Sequence, residues 1–289
     1  MTHLPRPSAA LTAGLAAIAL WGALASLAVA AGPIPPFQMV AMTFALGAGL
    51  GFVRAAWAGR AGRALLRWPA PVWALGVGGL FGYHALYFAA LQLAPPAEAN
   101  LVNYLWPLLI VLLAAPFAGA GLRWPHLAGA VLGLAGVGVL ALGRGVAFEA
   151  QHALGYALAL GCAFVWSGYS VLSRRFGDTP TDAVAAFCAA SAVLSLLCHL
   201  AFETTRWPDS YLAWGAVVLL GLGPTGAAFY LWDHAVKRGD IGLLGALSYA
   251  TPILSTALLV LLGLAPLTWT LPIAGALVVA GAVLAGRAR

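Results

Sequence analysis

Long apolar stretches separated by short polar connections dominate the pattern along this chain. A helix that spans a membrane needs about 20 mostly apolar residues. No stretch shows the roughly ten-residue polar/apolar alternation of membrane β-strands, so we expect helices. The predicted spans cover residues 8–30, 35–53, 71–92, 97–117, 124–142, 152–173, 181–202, 211–232, 241–262 and 267–286. The pattern predicts an all-α integral membrane protein with ten transmembrane helices and no room for an extramembrane domain.

The composition excludes the main alternatives to a membrane protein. Apolar residues make up 63% of the chain and charged residues 8%, against about 25% charged residues in a soluble protein. A soluble domain or a disordered chain is therefore excluded, and so is a nucleic-acid partner despite the net charge of +6. The three cysteines lie in apolar stretches, where they are typical of small core residues and not of a disulfide scaffold.

The basic residues predict the orientation, because they favour cytoplasmic segments. With the N-terminus in the cytoplasm, only Arg144 and Arg206 of the 14 Lys and Arg residues fall on the outer side. Both termini are therefore expected in the cytoplasm. An alternative is a signal peptide ending near Ala28-Val29-Ala30, but the first apolar run exceeds the roughly 15 residues that signal peptides allow.

An internal repeat appears when the sequence is aligned with itself at an offset of 145 residues. Each half, 1–145 and 146–289, then carries five predicted spans. An odd number of spans places the second half in the membrane with the opposite orientation, and such inverted repeats are typical of transporters. The matched pairs include Trp21 with Trp166, Tyr104 with Tyr249, Pro107 with Pro252, and Trp124 with Trp269.

Charged side chains are missing from the middle of every predicted span. Ion-driven transporters usually place a carboxylate at membrane depth, so facilitated diffusion is favoured over carboxylate-based coupling. Ion coupling through backbone carbonyls or a histidine is the alternative. The sequence also lacks the paired carboxylates and the His/Cys spacings of catalytic or metal sites. We therefore expect no enzyme activity, no cofactor and no metal. Residues 221–226 formally match a dinucleotide fingerprint, but inside a span they indicate helix packing or flexing.

Polar and aromatic side chains cluster inside the third and fourth predicted spans. Tyr83 and Tyr87 lie one helical turn apart with His84 beside them, and a short connection brings the next span close. Aromatic belts at membrane surfaces do not explain side chains at this depth, although a single buried histidine can be purely structural. The sequence predicts a cavity with these substrate-binding residues: Tyr83, His84, Tyr87, Asn103, Tyr104, Trp106, Trp166 and Tyr249.

Pro107 and Pro252 occupy matching positions in the two halves. A proline inside a helix removes a backbone hydrogen bond and clashes with the preceding turn. Two matched kinks predict paired hinges. An uncharged aromatic cavity between such hinges suits a flat, partly apolar solute. The amino and carboxylate ends of such a solute could form hydrogen bonds with tyrosine, imidazole and amide groups. The aromatic faces could also attract an ammonium group.

The span number, the five-plus-five repeat and the chain length resemble the drug/metabolite transporter superfamily, in particular its EamA family. Residues 102–107, Val-Asn-Tyr-Leu-Trp-Pro, look like the fourth-span signature of YddG-type aromatic amino acid exporters. Many EamA proteins carry a Gly-Glu pair after the fourth and ninth spans. Here residues 119–120 are Gly-Ala and residues 265–266 are Ala-Pro, which departs from the broad family and is similar to the exporter subfamily.

The resemblance implies an inner-membrane exporter of aromatic and other neutral amino acids, with a central cavity lined from spans three and four. We expect it to work by alternating access and to be a monomer. The resemblance also implies cavity roles for Tyr83, His84, Tyr87, Tyr104 and Trp106 and hinge roles for Pro107 and Pro252. The expected partners are a small-molecule substrate and the lipid bilayer. An exporter of aromatic drugs or other small metabolites is the alternative within this class, and a channel or a membrane enzyme is the alternative outside it.

Overall fold

The computed structural model describes residues 8–60, 66–118, 123–143 and 145–287, and these form helices, turns and connections without a β-strand. The predicted all-α class is confirmed. Helices satisfy their own backbone hydrogen bonds, which an apolar environment requires. Outside the described residues lie Arg6, Arg63, Arg144, Arg289 and residues 119–122.

Fifteen α-helices follow one another along the described chain. The first half contains α1 (Ala9–Gly22), α2 (Leu24–Ala31), α3 (Pro36–Trp57), α4 (Ala70–Val77), α5 (Tyr83–Leu93), α6 (Pro96–Asn103), α7 (Trp106–Ala118) and α8 (Trp124–Leu142). The second half contains α9 (Ala153–Leu172), α10 (Ala183–Phe202), α11 (Tyr211–Leu222), α12 (Ala228–Arg238), α13 (Ile241–Leu247), α14 (Ala250–Leu261) and α15 (Thr270–Ala285). Short 3₁₀ segments flank α9 at Ala150–His152 and Ser173–Phe176.

Several of these helices run end to end, so that nine helical segments of the described chain are long and apolar enough to cross a membrane. These segments are Ala9–Ala31, Pro36–Trp57, Ala70–Leu93, Pro96–Phe117, Trp124–Leu142, Ala150–Phe176, Ala183–Phe202, Tyr211–Arg238 and Ile241–Leu261. The last helix, α15, is apolar but has 16 residues, short of the roughly 20 that a full span needs. The chain is a multi-pass membrane protein, and the tenth span stays a prediction.

Two of the membrane segments contain a π-helical turn. Gly78–Gly82 lies between α4 and α5, and Gly223–Ala227 lies between α11 and α12. The two turns are separated by 145 residues, which is the offset of the sequence repeat. The second turn overlaps residues 221–226, where the sequence indicated packing or flexing. Because π turns are rare and frequently lie at functional sites, the residues that follow the two turns are candidates for a functional site.

The two predicted proline kinks are complete interruptions of a helix. A turn at residues 104–105 separates α6 from α7, and a turn at residues 248–249 separates α13 from α14. Pro107 is the second residue of α7 and Pro252 the third residue of α14. Proline is tolerated in the first turn of a helix, where the N–H that it lacks would have no helical partner. Each proline therefore begins a new helix and does not bend a continuous one.

Glycines allow the backbones of α8 and α15 to pack closely together. Gly129 and Gly281 face each other so closely that a Cβ on either would collide with the backbone of the opposite helix. Small residues serve this purpose in membranes, where close backbone packing holds helices together. This contact anchors α15 to the bundle.

Candidate functional site

A cavity of about 650 Å³ lies among helices from both halves of the chain. Gly32, Ile34 and Pro36 line it near the connection between α2 and α3, so its mouth is at the end of the bundle remote from the start of α1. All the described residues that line it are uncharged. Its volume is in the range of small-molecule sites, roughly 300–1,000 Å³. Any charged group of a ligand would have to be held by hydrogen bonds and aromatic faces.

Helices α5 and α6 form a polar wall of this cavity. The rings of Tyr83 and Tyr87 stack with centroids 6.0 Å apart and planes 6° apart. Asn103 Nδ2 donates to Tyr83 Oη at 3.0 Å, and Tyr87 Oη donates to Asn100 Oδ1 at 2.7 Å. Tyr104 lines the same cavity. The structure thus brings together the polar clusters of the third and fourth predicted spans.

His84 lies on this wall as the second residue after the first π-helical turn. Its Nδ1 is 2.7 Å from the carbonyl oxygen of Leu80. A carbonyl oxygen only accepts hydrogen bonds, so Nδ1 must carry the proton, and the neutral imidazole then has Nε2 as an acceptor. The ring is fixed further by an edge contact with Phe44 at 5.1 Å. Because Nδ1 is occupied, Nε2 is the atom that His84 can offer to a ligand.

Five aromatic side chains close the inner end of the cavity, and we call them the aromatic floor: Trp21, Trp106, Trp166, Phe229 and Trp232. Trp21 is central, with ring centroids of the other four between 5.2 and 6.4 Å away. Trp106 and Trp166 are each 5% exposed, and Trp232 beneath them is fully buried. Edge-to-face aromatic pairs add to the stability of such packing. The aromatic floor therefore separates the cavity from the opposite end of the bundle.

Tyr249 does not reach the cavity, contrary to its prediction as a substrate-binding residue. Its side chain is fully buried, and its ring packs on Gly133 of α8, where a Cβ would overlap it. The prediction relied on its repeat counterpart Tyr104, which does line the cavity. Of the two predicted hinge residues, Pro252 lines the cavity and Pro107 does not.

Part of the cavity wall was missed by sequence reasoning. Phe229 enters from α12, and at the offset of 145 it is the counterpart of His84, so the repeat contained a signal for it. Thr251, Ser255 and Thr256 add a row of hydroxyl groups from α14. These three carried no distinctive signal, because serine and threonine are common where membrane helices pack.

Ion pairs join the two halves of the chain at the end opposite the cavity mouth. Asp182, which precedes α10, accepts hydrogen bonds from Arg54 and Arg60 near the end of α3. Its side chain is 4% exposed. A further ion pair, Lys237 with Asp233 at 2.8 Å, lies within α12 and does not connect the halves. The contacts of Asp182 with its two arginines reinforce the closure that the aromatic floor provides.

Comparisons with known proteins agree on one family. The pattern of the EamA-like transporter family matches residues 8–142 and 153–287. A protein of Ancylobacter novellus named aromatic amino acid exporter YddG is 53% identical over 280 residues, which cover 96% of this chain and 97% of the relative. The protein of that name from Escherichia coli is 29% identical over 212 residues, 70% of this chain and 69% of the relative. A crystal structure with 52% sequence identity superposes with a TM-score of 0.92 over 96% of both chains.

Proposed function

Because the chain belongs to the EamA-like transporter family, we propose that it is an inner-membrane exporter of aromatic and other neutral amino acids. Family membership confirms the prediction of a transporter over a membrane enzyme. The relative from Ancylobacter novellus, which is 53% identical and is named an aromatic amino acid exporter, supports the substrate class.

The observation that carries this proposal is a cavity lined by described residues that are uncharged and that combine aromatic faces with neutral hydrogen-bonding groups. Trp106 and Trp166 at its floor offer apolar faces to a flat side chain. His84 Nε2 offers an acceptor to an N–H group, and Tyr83 Oη can still donate. An amino acid zwitterion has no net charge, so hydrogen bonds can hold it without a counter-charge from the protein. The substrate site of this proposal comprises Tyr83, His84, Tyr87, Asn103, Tyr104, Trp106 and Trp166.

We place both termini in the cytoplasm, in accord with the positive-inside distribution of lysine and arginine. In that orientation the mouth near Gly32 opens away from the cytoplasm, and Asp182 with its two arginines lies on the cytoplasmic side. The cavity is then in the outward-facing state of an alternating-access cycle, in which its closed cytoplasmic end opens as the mouth closes. Transport proceeds by facilitated diffusion down the substrate gradient, since the described residues of the cavity wall include no carboxylate.

The alternating movement follows from two halves, 1–145 and 146–289, that carry five spans each in opposite orientations, with α15 as the tenth span. The paired π turns and the paired interruptions before Pro107 and Pro252 support this arrangement, because the same irregularities recur in both halves. Inverted repeats with broken helices are the usual design of secondary transporters. The two prolines serve as hinges, and the chain acts as a monomer.

Counterflow in liposomes tests the proposed function. Purified protein should show saturable uptake of labelled phenylalanine that is accelerated by unlabelled amino acid inside the liposomes. Tryptophan and tyrosine should compete strongly, and small neutral amino acids weakly. Competition by aromatic drugs alone would favour the alternative exporter, and uptake without saturation or counterflow would identify a channel. Periplasmic reporter fusions should be inactive at both termini, and activity at the C-terminus would refute the ten-span topology.

A further inference from the structure

Helix α14 presents a row of hydroxyl groups to the cavity, from Thr251, Ser255 and Thr256. Thr251 and Ser255 lie one helical turn apart on the same face, and Thr256 also lines the cavity beside them. We call these three side chains the hydroxyl strip. Thr251 is 8% exposed, and its Oγ1 is buried without a hydrogen-bond partner. Ser255 and Thr256 are half-buried, and their hydroxyls bond to no other group in the described part of the chain.

Several other helical hydroxyls of this protein bond to their own backbone. Thr43, Ser170 and Ser167 each donate to the backbone carbonyl four residues earlier, at 2.9, 2.9 and 2.7 Å. This back-bonding is the common behaviour of serine and threonine inside helices. The hydroxyl strip lacks these bonds although it lies in a helix. Its donors are therefore not engaged by other groups among the described residues.

The electrostatic setting of the hydroxyl strip favours an anion. Helix α14 begins at Ala250, directly after the interruption, so Thr251 lies in its first turn. The N-terminal end of a helix carries a partial positive charge. A carboxylate oxygen would also supply the partner that the buried Thr251 hydroxyl lacks. His84 Nε2, being an acceptor, cannot serve a carboxylate.

We propose that the hydroxyl strip of α14 binds the carboxylate of the transported amino acid and so sets the preference for acids over the corresponding amines. The inference rests on the proposed function, because it assigns one end of the proposed substrate to one face of the cavity. It adds a binding face from the second half of the chain to the aromatic and amide wall from the first half.

Two phenyl compounds that differ in one group test this assignment. Phenylalanine has a carboxylate, and phenethylamine lacks it. The double variant Thr251→Val, Ser255→Ala removes two hydroxyls with little change of shape. Ser195→Ala is a matched control, because the Ser195 hydroxyl is also buried without a partner but does not line the cavity. The apparent affinity for phenylalanine and the inhibition constant of phenethylamine are measured by counterflow on equal amounts of monodisperse protein.

The double variant should bind phenylalanine roughly tenfold to a hundredfold more weakly, the usual loss for hydrogen bonds to a charged group. Phenethylamine should inhibit it as it inhibits the wild type, and Ser195→Ala should change neither value. Equal weakening of both compounds, or unchanged binding of phenylalanine, would overturn the assignment. If phenethylamine does not inhibit even the wild type, weaker binding of phenylalanine by the double variant relative to Ser195→Ala supports the assignment, and equal binding overturns it.

A second set of variants keeps the test open if the double variant does not fold. Thr251→Val and Ser255→Ala alone should each show part of the loss for phenylalanine, and Thr251→Ser should keep the wild-type affinity. Loss of affinity in Thr251→Ser as large as in Thr251→Val would contradict hydroxyl binding. A wild-type protein that carries no amino acid would refute the proposed function, whereas a working wild type with indifferent variants refutes only the hydroxyl strip.

Discussion

The two ring nitrogens of His84 have different roles in the structure, and different substitutions at this position can remove one role or the other. Nδ1 is bonded to the Leu80 carbonyl at 2.7 Å, and Nε2 is left as an acceptor. Asparagine places a donor near the position of Nδ1 and nothing at Nε2. Glutamine reaches the position of Nε2 with an amide oxygen but loses the bond to Leu80. His84→Asn and His84→Gln therefore each remove one task, and His84→Ala removes both.

The expected magnitudes follow from the groups involved. A neutral hydrogen bond such as that to Leu80 contributes about 0.5–1.5 kcal/mol to stability. A hydrogen bond to a charged substrate group contributes about 1.5–3 kcal/mol, or roughly tenfold to a hundredfold in affinity. His84→Asn should therefore lose most of its affinity for phenylalanine and keep its thermal stability. His84→Gln should show the reverse, with a lowered melting temperature and a smaller loss of affinity.

The assay measures transport per folded molecule and melting temperature on the same preparations of the three variants. Monodisperse protein in detergent gives the folded amount, and counterflow in liposomes gives the apparent affinity. Normal affinity for phenylalanine in both His84→Asn and His84→Ala would refute a role of Nε2 in the cavity. A fall in melting temperature without a change in affinity would instead show that His84 is a structural residue.

Three further predictions concern the backbone and the closed end. Pro107→Ala and Pro252→Ala should each slow counterflow without reducing membrane insertion, because alanine lets the interrupted helix become continuous; wild-type rates in both would contradict the hinges. Gly133→Ala should lower the stability by about 1–3 kcal/mol, measured as a lower melting temperature, because its methyl group would overlap the Tyr249 ring. Tyr249→Phe should transport phenylalanine normally. Weakened transport by Tyr249→Phe would show that Tyr249 belongs to the substrate site. Asp182→Asn should make the closed end open more often. A cysteine placed beneath the aromatic floor should then be labelled from the proposed cytoplasmic side roughly fivefold faster, because the loss of a partly exposed ion pair costs about 1 kcal/mol. Unchanged labelling would show that the pair does not hold this end closed.

The membrane segments could be predicted because the bilayer imposes their length and apolar character, whatever they pack against. The predicted span 124–142 coincides with helix Trp124–Leu142. The predicted span 211–232 is shorter than the observed segment, which continues to Arg238. Asp233 and Lys237 lie one turn apart and neutralise each other, so a charged stretch stays helical and buried. A prediction from the number of apolar residues does not take this ion pair into account and therefore ends the span too early.

The interruption before Pro107 depends on local bonding that proline alone does not reveal. The Leu105 N–H bonds to the Val102 carbonyl at 3.1 Å, three residues earlier and not four. This tighter bond ends α6 and allows the chain to start α7 in a new direction. A proline in the sequence indicates that a helix bends or ends, and the choice depends on which carbonyls the preceding residues use.

The sequence repeat predicts backbone geometry better than it predicts contacts. The paired π turns and the paired interruptions coincide with glycine and proline residues, whose effect on the backbone is local. Side-chain contacts also depend on the opposite helix, so Tyr104 lines the cavity while its counterpart Tyr249 packs on Gly133. For the same reason the polar clusters of the first half could be found from the sequence, whereas the hydroxyl strip of the second half could not.

This asymmetry between matched positions suits the task of binding a solute with two different ends. After one π turn stands His84, which offers a hydrogen-bond acceptor, and after the other stands Phe229, which offers none. The first half supplies tyrosine, amide and imidazole groups, and the second half supplies hydroxyls on α14. If the walls were identical, the solute could bind in either orientation. In the proposed alternating-access cycle each wall would move together with its own helices, and we therefore expect the substrate to keep the same orientation in the inward-facing state.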